Sequence, residues 1–140
     1  MSSVGTLPKI TAVVLCDDAR KEDSGKHILI GVYGTDISLE KIPSTIHLAV
    51  WIGGIFPVAG DYPFSLRAVG PDGKIAAKES VGVTLTGSYA DEGFITALTG
   101  MPLNISSEGK YLVQWHLPEG EWETISFLRV AKRKAEKIIE

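Results

Sequence analysis

Short apolar runs separated by turn signals recur along the whole chain, and that rhythm predicts strands joined by tight connections. Residues 10–16 (ITAVVLC) are rich in β-branched side chains and apolar on both faces, as in a central strand. In 27–39, Ile28, Ile30 and Val32 share one face of an extended chain, and Leu29 and Tyr33 share the other. In 46–56, Ile46, Leu48, Val50 and Ile52 oppose His47, Ala49 and Trp51. Phe64, Leu66 and Ala68 alternate with Ser65 and Arg67, the pattern of a half-buried strand. Ile75, Ala77, Val81, Val83 and Leu85 share one parity that Glu79 interrupts, so an edge position or a bulge is expected there. Residues 94–105 fit either a helix or a strand, and Gly100 with Pro102 favours a kinked strand. Residues 110–130 predict a last hairpin, with Tyr111, Val113, Trp115 and Leu117 opposite Gln114 and His116.

Breakers lie between the runs. The segment 17–26 (DDARKEDSGK) reads as a polar loop with a turn at Ser24-Gly25. GPDGK (70–74) is the clearest hairpin signal, centred on Asp72-Gly73. In the tail 131–140, Ala131, Ala135 and Ile138 stand at helical spacing. The expected fold is therefore all-β: an antiparallel β-sandwich, immunoglobulin-like or similar, of about eight strands with a short C-terminal helix. Residues 1–130 would form one sandwich domain and 131–140 a short basic helix or frayed tail.

Composition narrows the classes. A chain of 140 residues, 44% hydrophobic and 22% charged, is long enough to bury a core without a disulfide or metal. Fourteen Lys and Arg against seventeen Asp and Glu leave a net charge of −3, which disfavours coating a nucleic-acid backbone. The one cysteine, Cys16, has no partner for an internal disulfide, as suits a reducing compartment. The first residues lack a charged segment followed by an apolar run, and no apolar stretch is long enough for a membrane helix. A cytoplasmic protein with no membrane span is expected.

Candidate chemistry is sparse. In DSGKH (23–27) the Gly-Lys pair lacks the first glycine and the Ser/Thr of a phosphate loop. Cys16 stands beside Asp17 and Asp18, which raise rather than lower a thiol pKa, so a small buried residue is expected and not a nucleophile. His27, His47 and His116 match no zinc spacing. No catalytic residue, cofactor or metal site is expected. Asp17, Asp18, Glu22 and Asp23 crowd one segment and could attract calcium, but Arg20, Lys21 and Lys26 interleave with them. Trp51, Trp115 and Trp122 could line a pocket or an interface. Trp122 is flanked by Glu121 and Glu123 just after a turn and is the one expected to be partly exposed.

The strand ending in Cys16-Asp17-Asp18, the Gly25-Lys26 turn and the Ile30-Gly31-Val32-Tyr33 strand resemble an uncharacterised bacterial family, a domain of unknown function. Pro43, the GPDGK turn and the strand GKYLVQW (109–115) are also similar. The resemblance covers nearly the whole chain. It implies a β-sandwich and no activity, so no site residues carry over from it.

Three functional readings remain at this point. The first is a non-enzymatic binding or interaction module whose partner is a protein, in the first instance a second copy of itself. The alternative is a small-ligand or calcium-binding sandwich using the 17–26 loop. The third is an enzyme whose site is assembled from distant strands.

Overall fold

A computed structural model describes residues 7–80 and 82–133. The described residues form ten strands: β1 (Lys9–Lys21), β2 (His27–Val32), β3 (Asp36–Leu39), β4 (Ser44–Phe56), β5 (Gly60–Val69), β6 (Ile75–Ala77), β7 (Val83–Gly87), β8 (Glu92–Ile105), β9 (Gly109–His116) and β10 (Glu123–Lys132). They build a four-stranded sheet in the order β2-β1-β4-β8 and a six-stranded sheet in the order β3-β10-β9-β5-β6, with β7 paired to β5. All pairings are antiparallel except that of β3 with β10. The all-β sandwich expected from the hydrophobic pattern is the fold.

The strand count exceeds the expected eight or so because two of the expected runs break. Residues 33–35 carry the chain from the first sheet, where β2 pairs with β1, to the second, where β3 pairs with β10. The second break falls between β6 and β7, at the position where Glu79 interrupts the apolar face. There Ser80 replaces the ladder: its Oγ accepts from the Leu66 N–H and its own N–H donates to the Leu66 carbonyl, both at 2.8 Å. The ambiguous segment 94–105 is a strand, kinked by a register shift opposite Leu48 and Val50, with Gly100 at φ +69.

Two expectations are corrected. Residues 17–21 belong to β1, so the charged loop shrinks to 22–26. Charged side chains hid this strand, because a hairpin with solvent on it needs no apolar alternation. Ala131 and Lys132 continue β10 alongside Ser38 and Leu39, so the expected C-terminal helix does not start there; residues 134–140 lie outside the described residues.

The core lies between the sheets. Leu48, Val50 and Ile52 of β4, with Leu103 and Ile105 of β8, face Leu66 and Ala68 of β5, Tyr111, Val113 and Trp115 of β9 and Leu128 and Val130 of β10. Fully burying each large apolar side chain contributes about 1.5–3 kcal/mol. Tyr111 spends its polar end on the β8–β9 turn. Its hydroxyl accepts from the N–H groups of Ser106 (3.2 Å) and Ser107 (3.3 Å) and donates to the Ser107 carbonyl (2.7 Å).

Candidate functional site

The stretch 16–33 turns out to be a built hairpin. Cys16 pairs with Val32 on one side and with Ala49 on the other, and both Cys16 and Ala49 are buried. Asp17 is opposite Gly31, which sits at φ +65, a conformation that glycine adopts without steric cost. The Asp17 carboxylate occupies the space where a Cβ on residue 31 would stand. Its Oδ1 accepts a hydrogen bond of 2.5 Å from Tyr33 Oη. Burial, and then this bond to Asp17, push the Tyr33 phenol up to about 12. Burial also raises the Cys16 thiol, and the Asp17 and Asp18 carboxylates add to it, so the thiol is kept protonated and unreactive.

Beyond this point the hairpin folds back over the outer face of the first sheet. Trp51 pairs with Val14, and Lys21 is seven residues further along β1; a straight strand would carry it roughly 23 Å away. Instead Lys21, Gly25 and His27 line the same cleft as Trp51, Gly53 and Ile95. β1 also makes close contacts with β8, although β4 lies between them in the sheet.

The four acids singled out in the sequence do not converge. Asp17 and Asp18 alternate on β1 and face opposite sides. Asp17 is engaged by Tyr33, while Asp18 accepts from its neighbour's Ala19 N–H (2.9 Å) and pairs with Arg20 at 3.1 Å. Glu22 accepts from Ser24 Oγ at 3.5 Å, and Asp23 is exposed in the turn. Among the described residues no group of three or more His, Cys, Asp or Glu is placed to hold a metal ion. None of the three histidines hydrogen-bonds a carboxylate among the described residues.

Trp122 lies between β9 and β10 and packs on the outer face of the second sheet. The Arg67 guanidinium sits 4.0 Å from its ring centroid, and the His116 ring stacks on it at 5.0 Å and 30°. Arg67 Nε also donates to Gln114 Oε1 (2.9 Å), and Gln114 Nε2 donates to Thr124 Oγ1 (3.1 Å). The cluster satisfies itself, and Trp122 is half-buried within it.

The cleft under the hairpin tip is different. It has a volume of about 540 Å³, within the range of small-molecule sites. Trp51 Nε1 and His27 Nδ1 are both buried and have no hydrogen-bond partner among the described residues. Leaving such groups unpaired costs about 1–3 kcal/mol each. His27 and Trp51 are each ordinary strand residues in sequence, and only the fold-back of the hairpin brings them to one cleft. The alternation that puts Trp51 opposite Leu48, Val50 and Ile52 was the one available signal.

β2 is an edge of the first sheet. Ile28, Ile30 and Val32 on it are 44%, 41% and 59% exposed. The sequence placed them on one face but could not tell that this face would be open.

No helix among the described residues is long and apolar enough to cross a membrane. No curated protein matches the chain. Among solved structures, the crystal structure of the C-terminal domain of wzt matches with a TM-score of 0.52 at 12% identity, covering 91% of this chain and 75% of that one. At that identity the likeness shows a shared fold. The expectation of an uncharacterised family holds: residues 11–131 match the family of unknown function DUF6941, and the chain belongs to that family.

Proposed function

We propose that this protein is a non-enzymatic interaction module of the cytoplasm whose first partner is a second copy of itself, joined along β2. The observation that carries the reading is the exposed apolar row Ile28, Ile30 and Val32 on a sheet edge. Natural edges are guarded by charge, proline or a covering element, and an open apolar edge is a template for another strand. A second copy fits best because the row is self-complementary. Antiparallel pairing about a two-fold axis at Ile30 sets Ile28 against Val32 of the other copy, apolar against apolar at both ends. The neighbouring charges on β1, Asp18 and Arg20, already pair with one another at 3.1 Å and oppose no approach.

A six-residue strand buries less than a standard interface of about 1,600 Å², so the association is concentration-dependent. Sedimentation over a wide concentration range tests it. Growth of a dimer with concentration, abolished by Ile30→Lys, supports the reading. A strict monomer throughout removes it. Small-ligand or calcium binding through the 17–26 segment is the weaker reading, because Asp17 and Asp18 are each already engaged by a protein partner.

A further inference from the structure

We infer that the cleft between the β1–β2 hairpin tip and the outer face of the first sheet binds a small anionic molecule with a flat apolar body. The inference is independent of pairing along β2.

Its floor is flat because the sequence makes it so. Trp51 lies along β4 with its ring over Gly53, where an added Cβ would stand 3.2 Å from Trp51 Cη2. Gly54 and Gly93 continue the wall without side chains, Phe94 adds its backbone while its ring packs against Phe56 in the core, and Ile95 closes the wall with an apolar side chain. Such a surface accepts a ring or a planar chain.

Its polar groups define the other end of the ligand. Trp51 Nε1–H is a donor only. It is buried, lines the cleft, and has no partner among the described residues. His27 Nδ1 is in the same position, from the opposite wall. Lys21 brings a positive charge to the hairpin tip, and no acid is among the residues lining the cleft. The Thr11 hydroxyl is already used, donating to the Gly53 carbonyl at 3.3 Å. An indole donor, an imidazole nitrogen and an ammonium on a wall with no carboxylate suit an acceptor that carries negative charge. A carboxylate and a phosphate monoester share that chemistry, and the probes separate them.

The hairpin supplies the remaining element. Its bend is held by Tyr33 and Asp17, and its tip carries two of the lining groups, Lys21 and His27. The cleft therefore exists only while the hairpin is folded back.

The test uses ¹⁵N-labelled protein carrying Ile30→Lys, so that dimer formation does not contribute. The indole N–H signal of Trp51 is identified as the one missing in Trp51→Phe. Benzoate, phenyl phosphate and neutral benzyl alcohol are titrated to about 10 mM, the weak end of specific binding. At least one anion is expected to shift the Trp51 indole signal, with benzyl alcohol weaker by about tenfold or more, the effect of losing one charge-assisted hydrogen bond. Lys21→Met, an exposed position that leaves the fold intact, is expected to weaken the anion about tenfold. The proposal is overturned if no anion moves the Trp51 signal, if benzyl alcohol binds as well as the anions, or if Lys21→Met changes nothing. A shift confined to the Trp122 indole also overturns it, since that places the ligand on the other sheet.

Discussion

Tyr33 Oη donates to Asp17 Oδ1 at 2.5 Å, across the bend where the β1–β2 hairpin turns back over its own sheet. Tyr33 is raised from an ordinary 10 to about 12, first by burial and then by the Asp17 carboxylate, which accepts a hydrogen bond from the neutral phenol and repels a phenolate. The sign follows. A folded-state pKa above the unfolded one favours the neutral phenol in the native state, so the stabilisation is complete below pH 10 and is lost as pH rises from 10 to about 12. Ultraviolet titration should find one of the four tyrosines ionising near 12. That step should vanish in Tyr33→Phe and move down, though not fully to 10, in Asp17→Asn, since burial remains. An unshifted step in Asp17→Asn would remove Asp17 from the account.

Gly31 makes the same bend possible from the other strand. At φ +65 a side chain is strained, and the space its Cβ would take is filled by the Asp17 carboxylate. Gly31→Ala should cost about 1–3 kcal/mol and loosen the hairpin. Cys16 reports on this directly, being fully buried with a thiol pKa raised by burial, Asp17 and Asp18. Its reaction with a thiol reagent in native buffer should be slow in the parent and clearly faster in Gly31→Ala. Equal rates would mean that the bend does not depend on Gly31.

Much of the fold was legible because burial is one-sided where the strands are regular. The alternation at Phe64, Leu66 and Ala68, and at Tyr111, Val113 and Trp115, reappears as buried positions of β5 and β9. The GPDGK signal is the turn between β5 and β6, with Gly73 at φ +81 and its N–H donating to the Gly70 carbonyl at 3.0 Å. The hairpin tip was not legible. Asp17 to Lys21 pair with β2 through backbone groups, which carry no side-chain signature. At the start of the tail the helical spacing gave way for a related reason: Ala131 and Lys132 are held by backbone pairing with β3 on an exposed stretch. The cleft depends on a long-range fold-back, so the nearness of His27 to Trp51 has no local trace. For the acids the sequence gathered Asp17, Asp18, Glu22 and Asp23 by proximity in the chain, whereas strand alternation separates the first two.

Tyr111 ties the inside of the sandwich to a surface turn. Tyr111→Phe keeps the ring and removes only the hydroxyl, so the Ser106 and Ser107 N–H groups and the Ser107 carbonyl lose their partner together. A loss of about 1–3 kcal/mol in urea unfolding is expected, with an unchanged m-value because the surface exposed on unfolding is the same. A loss below a few tenths of a kcal/mol would show that solvent replaces the hydroxyl at no cost.

Trp122 stood out in the sequence as a tryptophan between two glutamates, and the structure gives it local partners. Arg67 covers its ring at 4.0 Å while binding Gln114, and His116 stacks on it at 5.0 Å. A cation over an indole contributes about 0.5–2 kcal/mol, depending on how dry the contact is. Arg67→Met keeps an apolar stem against the ring and removes the charge and the Gln114 bond. It should cost about 0.5–2 kcal/mol and raise the acrylamide quenching of Trp122 fluorescence, read as the difference from the same pair of proteins carrying Trp122→Phe. If Trp122 instead served chiefly to present its ring to a partner, Arg67→Met would leave stability and quenching unchanged. The two outcomes separate an anchor for the β9–β10 connection from a recognition residue.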